Sequence, residues 1–241
     1  MRVFAKTDVG KARERNEDFY YIAKPEDLIQ LFIVADGMGG YNAGEVASNL
    51  ATNSVKNYIT NNFENIEHEK EPILNLIRSA IEYANMVVYE KSKEIPELGG
   101  MGTTLDVCLI YNNKIYIGHV GDSRVYRIRK EFIRKLTKDH SYVQKLVEDG
   151  TITKEEADYH PKKNMLTRAL GCTPYVEPDV TMKVFLKDDI IVMTSDGLTN
   201  MIKEDEIYHI ITEDPEKAAE KLVQKANDLG GYDNITVVII L

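Results

Sequence analysis

The sequence predicts an α+β protein in which helices cover antiparallel β-sheet. In the middle of the chain, short apolar runs follow one another across two-residue gaps, Asn112-Asn113 and Lys130-Glu131. Gaps of this length join neighbouring antiparallel strands in hairpins. The helical patterns occur in blocks and do not alternate one by one with the strands. This arrangement favours helices packed on antiparallel sheet over a doubly wound parallel sheet.

Strands are predicted wherever a short run of apolar and β-branched residues is bounded by turn-forming residues. The run LFIVA at 31–35 has the composition of a buried strand, and we expect it to end at Asp36. The predicted strands cover residues 2–8, 19–23, 29–35, 103–111, 114–121, 123–129, 132–137, 176–186, 189–194 and 235–241.

Four helices are predicted from helical spacing of apolar residues. Those at 43–63 and 72–88 each carry one apolar stripe, so each is expected to lie on a flat apolar surface. A third helix is predicted at 204–212. A fourth is predicted at 215–229, with Asp214 as its N-cap and two glycines beyond its end.

Residues 139–171 are polar and differ from the rest of the chain. Thr153 and Glu156 form a capping-box pattern that predicts a short helix, and a second short helix is predicted at 141–147. We interpret 139–171 as a small flap beside the main body, although an ordinary surface connection would have a similar composition. No repeat or low-complexity linker divides the chain, so a single domain of residues 1–241 is expected.

Composition and charge exclude several classes of protein. The formal net charge of −9 argues against nucleic acid as the main partner, because phosphate backbones require clustered Lys and Arg. Cys108 and Cys172 form no CxxC pair, and both are predicted to be buried free thiols, which fits a reducing compartment. We find no signal-peptide pattern, and the longest apolar run, 235–241, is too short to span a bilayer. A cytoplasmic protein is expected. The sequence has no long heptad pattern of the kind that pairs helices between chains, so a monomer is expected as well.

Acidic residues recur where apolar runs begin or end, beside glycine or other small residues. Any one of them alone could serve a turn. Carboxylates gathered at one sheet edge would repel one another, and hard divalent cations such as Mg²⁺ or Mn²⁺ would relieve that repulsion. Several aspartates suggest more than one ion, and paired ions commonly hydrolyse phosphate esters. These residues are Asp36, Asp122, Asp196 and Asp233, together with the earlier pair Glu17 and Asp18.

Two arginines, Arg13 and Arg15, precede the Glu17-Asp18 pair. A guanidinium group matches the oxygens of a phosphate, so either arginine could bind a phosphorylated substrate. From spacing alone, either could also be a solvated surface residue.

Taken in order, the motifs resemble those of the type 2C metal-dependent protein serine/threonine phosphatases, in particular the compact bacterial members. The resemblance covers nearly the whole chain and includes TDVGKARERNEDFYY, VADGMGGYNAGEVAS, GGMGTTLDVCLI, IGHVGDSRVYRI, LTKDHS, LTRALG, VMTSDGLTN and GGYDNITVVII. It implies a β-sandwich of two antiparallel sheets with a pair of antiparallel helices on each outer face. That expectation agrees with the hairpins and amphipathic helices predicted above.

The resemblance also implies a metal site. Asp36 matches the aspartate that bridges two ions, and Gly37 matches the glycine whose carbonyl binds one of them. Asp196 and Asp233 match the aspartates that complete the first ion's ligands. Asp122 matches the residue that, with the SDG aspartate, helps to hold a third and weaker ion in bacterial members.

Further roles follow from the same resemblance. Glu17 and Asp18 match the acidic pair that orients metal-bound waters, and Arg13 matches the arginine that binds the substrate phosphate, whereas Arg15 has no such role. The implied mechanism is direct attack on phosphorus by a water bridging the two ions, without a phosphoenzyme. Thr103 and Thr104 could hydrogen-bond a metal-bound water, but packing is the favoured role.

Two positions depart from the family pattern. Met38 stands where animal members have a histidine that is a candidate general acid, and methionine cannot donate a proton. The acid would then be a metal-bound water, a flap group such as His160, or absent; His140 lies nearby as well. Tyr41 stands where bacterial relatives often have histidine, and no mechanism is attached to it.

Three functional hypotheses follow. The first is a phosphatase for phosphoserine and phosphothreonine in proteins, with a serine/threonine kinase as a partner expected from the family. The second is a binding or sensor module that has lost catalysis, which is disfavoured because all matched positions are present. The third is a metal-dependent phosphoesterase for small molecules, which differs in how the flap shapes access to the site.

Overall fold

A computed structural model describes residues 1–39 and 43–241; the departure at Tyr41 therefore lies outside the described residues. The strands are β1 (Val3–Asp8), β2 (Asp18–Ile22), β3 (Gln30–Met38), β4 (Gly102–Thr103), β5 (Leu105–Tyr111), β6 (Lys114–Val120), β7 (Arg124–Arg129), β8 (Phe132–Lys135), β9 (Asp179–Val184), β10 (Ile190–Thr194) and β11 (Ile235–Ile240). The helices are α1 (Ala43–Asn62), α2 (Lys70–Glu94), α3 (Tyr142–Glu148), α4 (Lys154–Asp158), α5 (Asp196–Thr199), α6 (Glu204–Glu213) and α7 (Ala218–Asp228).

The strands form two antiparallel sheets. One has the order β1-β11-β10-β7-β8, and the other has the order β2-β3-β5-β6-β9 with β4 paired to β3. The predicted hairpins are confirmed: Tyr111 pairs with Lys114 across a turn in which Asn112 and Asn113 both have positive φ. Two successive positive φ angles are typical of the tight turns that match the twist of antiparallel strands.

Three apolar clusters show how the two sheets and the helices pack in layers. One combines residues of both sheets and fills the space between them. A second packs α1 and α2 against the outer face of the β3-containing sheet, and a third packs α5, α6 and α7 against the outer face of the other sheet. The predicted architecture of a sandwich covered by helices on both sides is therefore confirmed.

The alternation along β3 explains its continuous apolar sequence. Leu31, Ile33 and Ala35 pack toward α1 and α2, whereas Phe32 and Val34 pack between the sheets. Successive side chains on a strand point to opposite faces, so a strand buried on both faces needs an unbroken apolar run.

Several predicted boundaries were wrong. The helix predicted at 72–88 runs on to Glu94 as α2. The strand predicted at 29–35 does not end at Asp36, because β3 continues to Met38 by pairing with β4. The fourth long helix does not begin at residue 215, because residues 215–217 form a turn before Ala218. Asp214 nevertheless accepts a long hydrogen bond from the Lys217 N–H at 3.4 Å.

The flap segment, residues 139–171, contains α3 and α4. The capping box is confirmed, because the side chains of Thr153 and Glu156 each accept a bond from the other residue's N–H. The two ends of the segment meet: the Thr167 N–H donates to the His140 carbonyl at 2.8 Å. Within residues 1–39 and 43–241, no helix has the length and apolar composition needed to cross a membrane.

Candidate metal and phosphate site

The predicted acidic residues gather at one end of the sandwich. Asp18 on β2 lies directly opposite Asp36 on β3. Asp196 follows β10 and Asp233 precedes β11, its antiparallel neighbour, while Asp122 follows β6. An open cleft of about 640 Å³ lies at this end. It is lined by Arg13, Glu17, Asp36, Gly37, Asp122, Asp196 and Asp233, among others.

The backbone of Asp36 is held on both sides. Its N–H donates to the Thr104 hydroxyl at 3.0 Å, and its carbonyl accepts from the Thr104 N–H and the Thr103 hydroxyl, both at 2.9 Å. The Thr104 hydroxyl also bonds the Ser123 hydroxyl at 2.7 Å. Both threonines are buried and fix the Asp36 backbone, which agrees with the packing role favoured from the sequence.

Gly37 lies where the start of α1 approaches β3 most closely. A Cβ atom at this position would stand 2.2 Å from the Gly44 carbonyl oxygen and 2.5 Å from the Glu17 carbonyl oxygen. Both contacts are far shorter than van der Waals distance and both involve backbone. Only glycine fits, for a packing reason that the sequence did not reveal.

Asp18 is buried beneath the cleft. One carboxylate oxygen accepts from the Ser195 hydroxyl at 2.7 Å, and the other has no hydrogen-bond partner in the part of the chain that the structure describes. Burial, with the charges of Asp196 and Asp233 nearby, raises the pKa of Asp18 to about 7.

Glu17 lies at the N-terminus of α1. One of its carboxylate oxygens would stand 2.5 Å from a Cβ atom added at Gly44, and the Gly44 N–H donates to it. Its own backbone N–H donates to the Asn234 side chain at 2.8 Å. Burial raises the pKa of Glu17, although the helix N-terminus and Arg13 oppose that rise.

Arg13 and Asp233 form an ion pair at the mouth of the cleft, with 2.8 Å between Nη2 and Oδ2. About half of the Arg13 side chain is exposed, and it remains accessible to a ligand. Arg15 does not line the cleft; its carbonyl accepts a bond from the Asn234 side chain at 2.8 Å.

The remaining carboxylates are half-buried and close enough to raise one another's pKa. Burial, followed by the charge of Asp196, raises the pKa of Asp122 to about 8. Burial and the charges of Asp18, Asp196, Asp122 and Asp233 raise the pKa of Asp36 well above its usual range. The pKa of Asp196 is raised by burial and by Asp233. These shifts indicate a site with too little positive charge for its carboxylates.

The residues present fit a site for hard divalent cations. The side chains that could bind a metal ion offer only oxygen ligands, which suit Mg²⁺ and Mn²⁺ rather than zinc. One Asp18 oxygen has no partner among the described residues, and the carboxylates repel one another; both features call for bound positive charge. Among residues 1–39 and 43–241, however, no three acidic, His or Cys side chains already converge into a cage around a single point. Asp233 pairs with Arg13, and Asp196 accepts a hydrogen bond from the Asn200 side chain.

Sequence reasoning missed two residues that hold the site together. The Asn234 side chain accepts from the Glu17 N–H and donates to the carbonyls of Val9 and Arg15, so it joins the N-terminal segment to β11. Ser195 bonds Asp18 and also accepts from the Thr236 N–H. Each adjoins a predicted aspartate, and that adjacency was the available signal.

The candidate acids for a leaving group lie elsewhere. Met38 lines the cleft, but His140 and His160 do not. His140 is buried, and its Nδ1 accepts from the Gly121 N–H at 3.2 Å. The prediction for the second cysteine was wrong: Cys108 is buried, whereas Cys172 is exposed and lines the cleft, because it lies in a loop beside the flap rather than in a strand.

Comparison with known proteins gives matches over nearly the whole chain. The family model described as protein phosphatase 2C matches residues 7–235. The serine/threonine phosphatase stp of Listeria monocytogenes is 38% identical over 242 residues, covering 100% of this chain and 95% of that protein. The solved S. agalactiae serine/threonine phosphatase is 35% identical with a TM-score of 0.90, covering 99% of this chain and 98% of its own. The catalytic domain of PstP, solved with two manganese ions, is 34% identical with a TM-score of 0.85, covering 99% and 96%.

Proposed function

The chain belongs to the protein phosphatase 2C family and is a protein phosphatase, and from this premise we propose that it hydrolyses phosphoserine and phosphothreonine with the help of divalent ions. The observation that supports this proposal most strongly is the convergence of half-buried carboxylates and an accessible arginine on one open cleft. Such a cleft can neutralise a phosphate and admit the chain that bears it. The serine/threonine assignment is supported by the names of the relatives in Listeria and S. agalactiae.

Four residues would hold two Mn²⁺ or Mg²⁺ ions, namely Asp36, Asp196 and Asp233 through their carboxylates and Gly37 through its carbonyl. Asp122, with Asp196, would hold a third and weaker ion. The raised pKa values of Asp36, Asp122 and Asp196 support this assignment, as does the manganese-containing PstP structure. When bound, such ions supply charge that stabilises the phosphate and lowers the pKa of water, so that water can attack phosphorus near neutral pH.

Arg13 would bind the non-bridging oxygens of the phosphate. A guanidinium carries five N–H donors, and the pair with Asp233 uses Nη2 alone, so donors remain for a ligand. Asp233 orients the guanidinium at the mouth of the cleft. These bonds would form already in the bound substrate and persist in the transition state, so their loss is expected mainly to raise KM.

Glu17 and Asp18 would orient water. Asp18 has a carboxylate oxygen with no partner among the described residues, and it is fixed by the bond from Ser195 to its other oxygen. Glu17 lines the cleft with its carboxylate fixed at the start of α1. Both are acceptors held in place, as orientation of a water requires.

The leaving oxygen of serine or threonine would take its proton from water rather than from a histidine. Met38 lines the cleft but has no proton to give. The His160 Nδ1 accepts from the Lys162 N–H, and the ring lies outside the cleft lining.

The wider assignments are also proposals. We propose that residues 1–241 act as one catalytic domain and that the protein works as a monomer in cytoplasmic signalling. It would reverse the action of a serine/threonine kinase. The free thiols of Cys108 and Cys172 support a reducing compartment.

The test is phosphate release from a phosphothreonine peptide, with Mn²⁺ and with EDTA, by the wild type and by Asp36→Asn. We expect release to require Mn²⁺ and to fall more than about 100-fold in the variant, since even partners of metal ligands cost 10–100-fold. Activity that survives both EDTA and the substitution would refute the metal assignment. Hydrolysis of small phosphate esters but not of phosphopeptides would favour the small-molecule phosphoesterase.

A further inference from the structure

One wall of the cleft is built from the end of the flap segment and the loop that follows it. Two large apolar side chains on this wall face solvent: Met165 is 44% exposed and Tyr175 is 88% exposed. Most large apolar residues of the chain are buried in the three clusters between and outside the sheets. Exposed aromatic and methionine side chains beside a functional cleft are typical of a binding surface.

The loop that carries Tyr175 is anchored from the protein interior. Asn85, buried on α2, donates to the carbonyls of Thr173 at 3.1 Å and Pro174 at 3.2 Å. Its side-chain oxygen accepts from the Gly171 N–H at 2.9 Å. Both donors and the acceptor oxygen of a buried amide therefore bind to one surface loop.

The same loop is tied to the strand that carries Asp36. Thr103 and Leu170 exchange two backbone hydrogen bonds, at 3.1 and 2.9 Å, and Thr103 also pairs with Gly37. The Thr173 hydroxyl donates to the Tyr175 carbonyl at 2.6 Å. Tyr175 thus stands on a preorganised loop in a fixed register with the acidic end of the cleft, which lowers the entropy cost of binding on it.

The positively charged group on this wall is already engaged. Arg168 donates to the Asp179 carboxylate at 2.9 Å and to the Glu177 carbonyl at 3.3 Å. Met165 and Tyr175 therefore offer apolar contact on a wall whose other charged side chain is the exposed carboxylate of Glu177, whereas Arg13 and the acidic residues of the candidate site line the same cleft.

From this arrangement we infer that Tyr175 and Met165 form a subsite for an apolar side chain that neighbours the phosphorylated residue in a protein substrate. The inference rests on the proposed function, because the occupant is the substrate chain itself. The continuity of the wall with the carboxylate end of the cleft commits the surface to that occupant. Apolar burial on Tyr175 would lower KM for such substrates and would add nothing for a ligand that ends at the phosphate ester.

The kinetic test compares two phosphothreonine peptides, one with leucine and one with glycine beside the phosphorylated residue, and p-nitrophenyl phosphate. Tyr175→Ala is expected to raise KM for the leucine peptide about tenfold, in the range of aromatic contacts at interfaces. The same substitution should change KM for the glycine peptide and for p-nitrophenyl phosphate by less than about twofold. Met165→Ala should act in the same direction.

Tyr159→Ala is the matched control. Tyr159 is 86% exposed and belongs to the flap segment, but it lines a separate cleft on the other side of Asp122. The Tyr159→Ala variant should keep the wild-type preference for the leucine peptide over the glycine peptide. The inference would be overturned if wild type and Tyr175→Ala showed the same preference for the leucine peptide. It would also be overturned if Tyr159→Ala, rather than Tyr175→Ala, lost that preference. If wild type hydrolyses no phosphopeptide at all, the proposed function fails rather than this subsite.

A direct measurement uses the absence of tryptophan from the chain. A peptide with a non-hydrolysable phosphonate in place of the phosphoserine phosphate, and tryptophan beside it, supplies the entire tryptophan emission. Its emission should shift to the blue on binding to wild type and Tyr159→Ala, and not on binding to Tyr175→Ala. An unshifted emission from peptide bound to wild type would contradict the inference. A change in the sedimenting mass on Tyr175→Ala substitution would also contradict it, because the wall would then be a contact between copies of this chain.

Discussion

Asp36 and its neighbours show how single residues fix the site. The Asp36 side chain is half-buried, and its backbone is bonded on both sides by Thr103 and Thr104, where β4 passes into β5. Gly37 allows α1 to approach the same strand. Removal from solvent, followed by the charges of the neighbouring aspartates, raises the pKa of Asp36.

At this scale Arg13 is the residue whose role is most easily isolated. Arg13→Ala removes a charged donor from the mouth of the cleft. We expect kcat/KM for a phosphothreonine peptide to fall by about 10–100-fold, since bonds to charged groups contribute about 1.5–3 kcal/mol. Most of the loss should appear in KM.

Arg15→Ala is the control for Arg13, because Arg15 precedes the same acidic pair but does not line the cleft. Steady-state kinetics of both variants with one peptide makes the comparison. An unchanged kcat/KM in Arg13→Ala would remove Arg13 from phosphate binding, whatever the control does.

At the scale of elements, strand pairing carries the acidic residues to one place. The β2–β3 register sets Asp18 opposite Asp36, and the adjacency of β10 and β11 sets Asp196 near Asp233. Far from this end, Arg129 on β7 holds the turn before β10 through two bonds to Asp189, both at 2.6 Å. The elements are therefore locked at both ends of the sandwich.

The Arg129–Asp189 pair predicts a pH-dependent contribution to stability. Although burial opposes it, the bonds from Arg129 lower the pKa of Asp189 in the folded state. A lowered folded-state pKa adds stability above the unfolded-state value of about 3.9, and that stability is lost as pH falls through the folded-state pKa.

Arg129→Met should therefore lower the free energy of unfolding by about 1–2 kcal/mol near pH 7, allowing for the partial exposure of Arg129. The difference between variant and wild type should shrink below about pH 4. Urea unfolding of both proteins at several pH values measures it. A difference that stays constant or grows on acidification would contradict the assignment.

At the scale of the whole molecule, the three apolar clusters explain why the sequence predicted the fold well. Apolar periodicity reports burial, and the two-residue gaps such as Asn112-Asn113 report hairpins, so both were readable locally. The carboxylates were also readable, because each adjoins an apolar run. What could not be read depends on contacts between distant segments. The extension of β3 needs β4, the role of Gly37 needs α1, and the loop before Tyr175 needs Asn85.

The central claim is that the carboxylate end of the sandwich binds divalent ions, and isothermal titration with Mn²⁺ tests it most directly. Wild type is expected to bind at least two ions, and Asp36→Asn to lose that binding. Asp188→Asn, an exposed aspartate in the turn between β9 and β10, should bind as wild type does. Equal Mn²⁺ binding by Asp36→Asn and wild type, or no binding by wild type, would contradict the account.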